Sequence, residues 1–253
     1  MSTTNSAVKT RSPLSERLDL IISPIFAAGL AILGFAVWTY SDLDKITIAI
    51  LSPDKVQRQI GETLLLGLTS SILVVLIAVP VGILVTRKGY PRLKSLLVNT
   101  LGLGQALPAY GLIVIFFSFM GSGIVTVILA LATFSLLPVL RNTIVGLEQV
   151  DKSVIDAARG MGLTARQILL KIELPLSVEV ILGGIRTAVV INVGFSALAF
   201  LVGGGGLGET INSGLKLDRG PAILIGAVMV AIMALLFDFL SALAQKYLKP
   251  KGL

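Results

Sequence analysis

The chain has 253 residues, of which 55% are hydrophobic and only 14% are charged, with a mean hydropathy of +0.93, and this is the composition of an integral membrane protein. Its 21 Lys and Arg residues outnumber its 14 Asp and Glu residues and give a formal charge of +7. The absence of Cys excludes disulfides and thiolate metal sites, and the absence of His removes the commonest metal ligand and neutral-pH general base, which argues against a metalloenzyme.

The first part of the chain predicts a tail followed by one membrane span. Residues 1–19 are polar and rich in Ser and Thr, which is typical of a cytoplasmic tail. Residues 20–40 form an apolar run long enough for a helix to cross a bilayer, and the run ends in Trp38 and Tyr40 as interfacial anchors. A cleaved signal peptide is the alternative, but the run is long for a signal and no small-x-small cleavage site follows it. Residues 42–58 then predict a charged external connection.

Five further spans are predicted in a transmembrane domain that covers residues 59–246, at 60–86, 96–119, 124–140, 178–202 and 221–244. Pro80 predicts a kink in the second span of the chain, and the pair Gln105 and Pro108 predicts a break near the middle of the third. Residues 247–253 predict a short cytoplasmic tail. The predicted fold is therefore all-α and integral to the membrane, with about six transmembrane helices.

The Lys and Arg residues are distributed unevenly between the two sides of these spans. The N-terminal tail, the loop after the second span, residues 141–175 and the C-terminal tail hold fifteen of them, whereas the opposite loops hold five. By the positive-inside rule, both termini and the long loop are cytoplasmic. This distribution accounts for the formal charge of +7 without a nucleic-acid partner.

Residues 151–175, DKSVIDAARGMGLTARQILLKIELP, form a polar island between apolar runs, here called the polar segment. Asp151 predicts the N-cap of a first helix, and the glycines of the Gly-Met-Gly corner predict its end. Thr164 followed by Gln167 predicts a capping box that opens a second helix, and Pro175 predicts the end of that helix. The polar segment therefore predicts a helical hairpin with one small, smooth face.

The pattern of the polar segment resembles the EAA loop in the membrane subunits of binding-protein-dependent ABC importers. In that family the loop is a cytoplasmic coupling helix that sits in a groove of the ATP-hydrolysing subunit. The resemblance implies that ATPase coupling is carried by Asp156, Ala157, Ala158, Gly160, Gly162, Ile172, Leu174 and Pro175. Asp156 stands where the family usually has Glu, which keeps the charge but shortens its reach. An ordinary amphipathic hairpin is the alternative interpretation.

Arg186 lies inside the fifth span and needs a partner, because a buried arginine costs about 2.5 to 3.5 kcal/mol on insertion scales. The sixth span runs back toward the cytoplasm, so Asp238 should lie at a similar depth. An interhelical ion pair between Arg186 and Asp238 is predicted, with a structural role rather than a contact to substrate. Glu179, two turns earlier on the same face, is the rival partner.

Polar or helix-breaking groups within the spans are the candidates for the pore: Gln105, Pro108, Asn192 and Gly194. Each should face a cavity or another helix, so an interhelical hydrogen bond is the alternative to a position on the pore wall. The spans contain no Ser, His and Asp constellation and no paired carboxylate site, which argues against an enzyme.

The glycine-rich sequence GGGGLGET follows the fifth span and comes within one residue of a phosphate-binding P-loop. Glu209 stands where the phosphate-binding lysine belongs, and a carboxylate there would repel phosphate, so ATP binding by this loop is excluded. One interpretation of the four glycines is a mobile external gate or a close-fitting seat for a binding protein, and the other is a loose turn between spans. These glycines are Gly203, Gly204, Gly205 and Gly206.

Beyond the polar segment, the sequences LLPVLRNT, IELPL, GIRTAVVINVG and LVGGGGLG resemble the permease subunits of osmoprotectant ABC importers, which take up glycine betaine, choline or carnitine. The similarity runs over residues 61–245. It implies a type I ABC importer permease fold and half of a dimeric pore, completed by a second permease copy or a paralogue. It also implies two ATP-binding subunits, an external or periplasmic substrate-binding protein and a location in the cytoplasmic membrane. ATP and Mg would bind the partner ATPase, and no cofactor would bind this chain.

Three other functions are compatible with the sequence. A permease for an amino acid or another small zwitterion would share the coupling loop. A secondary transporter would need its own substrate site and often shows repeated halves, which are not evident here. A membrane scaffold without transport activity is the third alternative.

Overall fold

The computed structural model describes residues 13–41, 43–87 and 90–248, with side chains from residue 21 onward. The predicted tail residues before residue 13 and after residue 248 lie outside the described residues. The described part of the chain contains no β-strand, and its helices in chain order are α1 (Pro13–Tyr40), α2 (Lys45–Ile50), α3 (Pro53–Val85), α4 (Pro91–Ala106), α5 (Ala109–Met120), α6 (Ile124–Glu148), α7 (Lys152–Gly160), α8 (Ala165–Ile168), α9 (Leu174–Phe195), α10 (Gly208–Lys216) and α11 (Gly220–Leu248). A π-helical turn joins α8 to α9 and a 3₁₀ turn extends α9, at Leu169–Glu173 and Ser196–Val202.

Five helical stretches are long and apolar enough to cross a membrane, and the helices α4 and α5 form a sixth, bent by 102°. α4 begins beside the C-terminal end of α6, where Lys94 Nζ lies 2.5 Å from Glu148 Oε1. α5 ends beside the N-terminal end of α6, where Thr126 Oγ1 donates a hydrogen bond to the Gly121 carbonyl at 2.8 Å. The bent pair therefore runs the length of α6 as one broken span, as predicted from its Gln and Pro.

The helices are longer than the predicted spans. α1 begins at Pro13, α3 begins at Pro53 and α11 ends at Leu248, so the domain boundaries predicted after residues 19, 58 and 246 fall inside helices. Polar residues next to an apolar run continue its helix when no breaker intervenes, and Pro53 starts one because its fixed φ suits the first turn.

The predicted external connection over residues 42–58 is also partly helical. Asp44 caps the short helix α2 through a 2.8 Å hydrogen bond from the Thr47 backbone N–H, and the side chain of Thr47 together with this backbone bond lowers the pKa of Asp44. Arg219 Nε donates to the same carboxylate at 2.8 Å. This contact ties the connection after the first span to the one before the last.

The helices α3, α6 and α9 pack closely because glycines stand where they cross. Gly67 faces Val193, Gly82 faces Thr143, and a Cβ on Gly184 would lie 2.7 Å from the Asn142 side chain. Small residues let helices approach closely in a membrane, where no hydrophobic force drives helices together. By contrast, α1 packs along α11 at the edge of this bundle and leaves most of its apolar side chains exposed.

The substitution Gly184→Ala tests the close crossing of α6 and α9. Its Cβ would meet the Asn142 side chain and the Pro138 carbonyl oxygen, 2.8 Å away, so we expect a loss of about 1 to 3 kcal/mol from overpacking. Gly194→Ala on the same helix is the matched control, because nothing lies within 4 Å of its added Cβ, and we expect it to be neutral or to stabilise by up to about 1 kcal/mol. Thermal unfolding in detergent measures both, and equal midpoints would contradict the packing argument.

Candidate functional site

The first helix of the polar segment presents a small surface to solvent. Asp151 caps α7 by accepting a 2.8 Å hydrogen bond from the Ser153 backbone N–H, and this bond favours the carboxylate and lowers the pKa of Asp151. Asp156 and Ala157 are exposed, whereas Ala158 is fully buried. The Asp156 carboxylate pairs with Arg159 at 3.0 Å. α7 therefore offers a largely smooth, polar face at one end of the bundle.

The turn after α7 depends on Gly162. Its backbone N–H donates to the Arg159 carbonyl at 2.9 Å, and the Leu163 N–H donates to the Ala158 carbonyl at 3.1 Å. This pair of bonds is the Schellman motif, which places its glycine in the left-handed region. Gly162 has φ +81°, and nothing lies within 4 Å of an added Cβ. Glycine is therefore favoured here by the backbone conformation and not by a lack of space for a side chain.

The second helix of the polar segment begins as predicted, with Thr164 and Gln167 forming both bonds of the capping box. The prediction that Pro175 ends this helix is wrong. The chain widens into the π-helical turn Leu169–Glu173, in which the Leu174 N–H donates to the Leu169 carbonyl. Pro175 then lies in the first turn of α9, where its ring and missing N–H are tolerated. The polar segment is therefore continuous with a membrane span over residues 165–202.

Gln105 and Asn192 converge on the same turn of α6, about 15 Å from the start of that helix at 1.5 Å per residue. Gln105 Nε2 donates to the Phe134 carbonyl at 3.1 Å. With its Nδ2 facing α6, Asn192 donates to the Leu131 carbonyl at 3.1 Å and to Ser135 Oγ at 2.9 Å. Since α6 spans the bundle, this level lies deep within the membrane.

Asn192 is fully buried, and its amide also lies 3.1 Å from Ser71 Oγ on α3. It therefore joins α3, α6 and α9 by interhelical hydrogen bonds, which is the alternative to a position on the pore wall. Gly194, two residues later, instead has nothing within 4 Å of an added Cβ.

The break between α4 and α5 faces outward from the protomer. Ala106, Leu107 and Pro108 are all exposed, although they lie just beyond the level of Gln105. Non-helical backbone at membrane depth is tolerated only where protein covers it or where it lines a water-filled cavity. We therefore expect protein or water, and not lipid, in front of this break.

The glycine-rich segment at residues 203–208 is packed against the start of α3. Glu62 Oε2 accepts a 2.7 Å hydrogen bond from the Gly206 N–H, and Thr63 Oγ1 accepts one of 3.0 Å from the Leu207 N–H. Residues 204–208 are buried, and a Cβ on Gly205 would collide with the Glu62 carboxylate. The alternative of a loose turn is therefore wrong, since this segment fits closely on its neighbour.

Two charged side chains complete this junction, with Arg58 Nη2 3.0 Å from Glu209 Oε2. Thr210 Oγ1 also donates to Gln59 Oε1 at 2.6 Å. Sequence reasoning missed the role of α3 here. The available signal was the run of polar residues, from Arg58 to Thr63, directly before the apolar part of the span.

The structure brings Arg186 and Asp238 together across α9 and α11. Arg186 Nε lies 2.6 Å from Asp238 Oδ1, and its Nη2 lies 2.7 Å from Oδ2, which is the bidentate geometry of a strong charge-assisted pair. Ser23 Oγ on α1 donates to the same carboxylate at 2.8 Å. The pair therefore also holds the peripheral first helix. Glu179 lies nearer the polar segment, where its backbone carbonyl accepts from Gln245 Nε2 at 2.9 Å.

Comparison with known proteins places this arrangement among transport proteins. Residues 78–251 match the family described as "Binding-protein-dependent transport system inner membrane component". The chain is 37% identical to the carnitine transport permease protein OpuCB of Listeria monocytogenes, over 77% of this chain and 88% of the relative. It is 38% identical to the choline transport system permease protein OpuBB of Bacillus subtilis, over 76% and 88%. It is also 38% identical to the osmoprotectant import permease protein OsmY of Salmonella typhimurium, over 74% and 79%.

Among solved structures, the chain resembles one described as an inward-facing conformation of the MetNI methionine ABC transporter. The TM-score is 0.69 at 24% sequence identity, and the match covers 82% of this chain and all of that chain. At this identity the likeness concerns the fold alone.

Reversing the charges of Arg186 or Asp238 tests the pair within the membrane. Each of the single variants Arg186→Asp and Asp238→Arg should lower the yield of monodisperse protein severely, because removing one partner of a buried pair costs about 3 to 5 kcal/mol. The double reversal should restore the yield. Size-exclusion profiles of the solubilised protein measure this.

The exposed pair of Lys94 and Glu148 at one end of the bundle supplies the control, because its reversal should cost no more than about 1 kcal/mol. A double reversal of Arg186 and Asp238 that yields no more protein than either single variant would show that the pairing is not required.

Proposed function

The chain belongs to the family of binding-protein-dependent transport system inner membrane components, and we propose that it serves the import of an osmoprotectant such as glycine betaine, choline or carnitine. The family makes it the permease subunit of an ABC importer, a multi-pass protein of the inner membrane. The permease itself is not an enzyme, since a separate ATPase hydrolyses ATP. Such a permease works with that ATPase, a substrate-binding protein and a second permease.

The observation that carries the proposed substrate class is the agreement among relatives. Permeases from three genera match about three quarters of this chain at 37 to 38% identity and are named for carnitine, choline or osmoprotectants. A permease for an amino acid or another small zwitterion is the second candidate. The likeness to the methionine transporter does not favour it, because the shared property there is the fold.

The proposed orientation places the polar segment and both termini in the cytoplasm. Fifteen Lys and Arg residues support this orientation against five on the opposite side. The six crossings support a single side for both termini, because an even number of spans returns the chain to its starting side, and the positive charges support the cytoplasm as that side. The glycine-rich segment and α10 then lie on the external side.

We assign ATPase coupling to the polar segment. The exposed face of α7 around Asp156 and Ala157 would sit in a groove of the ATPase, and Gly160 and the turn at Gly162 would hold it against the second helix. Because that helix continues into α9, movement of the segment would tilt a membrane span directly. In the proposed assembly two ATP-binding subunits hold ATP and Mg, and their closure supplies the movement.

We assign the pore to the face that carries the break between α4 and α5. Gln105 and Pro108 at the break and Gly194 on α9 would lie toward the pathway, and a second copy of this chain or a paralogue would supply the opposite wall. Asn192 would hold the helices behind this wall. The exposed non-helical backbone supports the assignment, because it requires protein or water in front of it.

The glycine-rich segment is proposed as the external seat for the binding protein. Gly203 is its exposed residue, while Gly205 and Gly206 fit it to α3 and Gly204 fits it against Val127 of α6. A closely held segment can transmit the presence of a docked partner to α3, which a loose turn could not do.

Uptake of labelled glycine betaine tests the substrate class. Cells without their own betaine importers would express this chain with its cognate ATPase and binding protein, and we expect uptake that choline or carnitine blocks. An inactive ATPase variant should abolish it. ATPase-dependent uptake of labelled methionine or another amino acid, with no uptake of glycine betaine, would overturn the osmoprotectant assignment and keep the permease, and uptake independent of the ATPase would contradict both.

The substitution Gly162→Arg tests the coupling assignment. It adds a bulky side chain beside α7 and forces a left-handed residue, at a cost of about 1 to 2 kcal/mol, so the ATPase should no longer co-purify. Gly203→Arg is the matched control: Gly203 also ends a helical turn in the left-handed region, with φ +73° and only an ordinary 3.6 Å contact to an added Cβ, but at the opposite end of the bundle. Equal ATPase recovery from both variants would argue against docking at the polar segment.

A further inference from the structure

A buried carboxylate lies where the polar segment meets its membrane span. Glu173 is only 7% exposed and belongs to the π-helical turn between α8 and α9. Arg87 Nη1 lies 2.8 Å from Glu173 Oε2, at an angle that makes the contact a charge pair and not an aligned hydrogen bond. Arg87 follows directly after the end of α3, and its Nε also contacts the Ile83 carbonyl at 3.3 Å. The pair therefore connects the base of α9 to α3.

The contacts on the other side of this turn are of a different kind. A Cβ added to Gly146 of α6 would lie 3.1 Å from the Ser177 Cβ and 3.3 Å from the Val180 Cβ, so α6 and α9 touch closely. The hydroxyl of Ser177 donates to the Glu173 carbonyl at 2.7 Å and is buried. Close packing of this kind holds one arrangement and resists small displacements.

The ion pair is not explained by stability alone. Burying two charges costs desolvation energy that their attraction only partly returns, and apolar residues of similar volume often serve stability better. The π-helical turn is also informative, because π-helices are rare and their single-turn bulges inside α-helices occur frequently at functional sites. Both features occur at the one point through which any movement of the polar segment must pass to reach α9.

We propose that Arg87 and Glu173 are positioning residues that couple α3 to the movement of the polar segment. While the pair is formed, displacement of the segment moves α3 and the base of α9 together. Without it, the segment bends at the π-helical turn and α3 stays behind. The inference rests on the proposed docking of the ATPase at the polar segment. It adds the path by which displacement of that segment reaches a second membrane span, α3.

The variants Arg87→Gln and Glu173→Gln test this proposal in the complete importer, reconstituted in vesicles with its ATPase and binding protein. Both should still bind the ATPase, because neither residue lies on the exposed face of α7. The number of glycine betaine molecules taken up per ATP hydrolysed should fall by about tenfold, within the range of typical coupling effects. A purely structural role would lower uptake and ATP hydrolysis together and leave their ratio unchanged.

Lys94→Gln is the matched control, since it removes the ion pair with Glu148 at the same end of the bundle, outside the polar segment. It should keep the wild-type ratio. The charge exchange Arg87→Glu with Glu173→Arg should raise the ratio well above that of either glutamine variant, because it rebuilds the pair with its charges reversed.

Each outcome either supports or overturns the proposed role of Arg87 and Glu173. A wild-type ratio in both glutamine variants overturns the proposal. If the single variants do not accumulate, the charge-exchange variant decides. Recovery of both the protein and the uptake per ATP supports the proposal. Recovery of the protein without the uptake per ATP, or recovery of neither, overturns the proposal. Failure of the wild-type chain to bind the ATPase would instead contradict the proposed function, so the two failures are distinguishable.

Discussion

Satisfaction of polar groups inside the bilayer is the constraint on which the rest of this structure depends. In hydrocarbon no water is available, so backbone groups and charges need partners within the protein. The chain meets this requirement with long helices, with the contact of Arg186 to Asp238, and with the hydrogen bonds of Asn192 across three helices. Where it does not, at the exposed break between α4 and α5, the departure marks the surface assigned to the pathway.

Two kinds of contact hold the bundle, and they suit different tasks. Glycines bring α3, α6 and α9 into close contact, and closely packed contacts of this kind have one favourable geometry. Apart from Arg186 with Asp238, the charge pairs in the described part of the chain lie at the ends of the bundle, as with Arg58 and Glu209 or Arg87 and Glu173. Such pairs can separate and re-form at new distances more readily than interlocked side chains. The arrangement fits a rigid centre with adjustable ends.

The continuity of the polar segment with α9 gives the proposed transport cycle its physical basis. Because the second helix of the polar segment runs into α9 without a break, displacement of the segment is transmitted along α9. The π-helical turn is the point at which this continuous helix can bend. At the opposite end, the glycine-rich segment follows the same span and rests on Glu62 and Thr63 of α3. The helices α3 and α9 therefore meet at both ends, which places them between the two proposed docking sites.

Sequence patterns alone predicted the membrane class, the number of spans, the broken third span and the caps of the polar segment, because hydropathy, proline and capping are local properties. The same local reasoning erred at Pro175, which opens α9 after a widened turn, and it left the glycine-rich loop open between a close seat and a loose turn. In both places a distant element decides the outcome: the base of α9 packs on α6, and Glu62 lies 144 positions before the Gly206 N–H that it binds. Only the tertiary structure could decide that Asn192 is buried among three helices, or that Arg87 meets Glu173. Those contacts depend on helix rotation and register, which apolar spans with little amphipathic pattern do not specify.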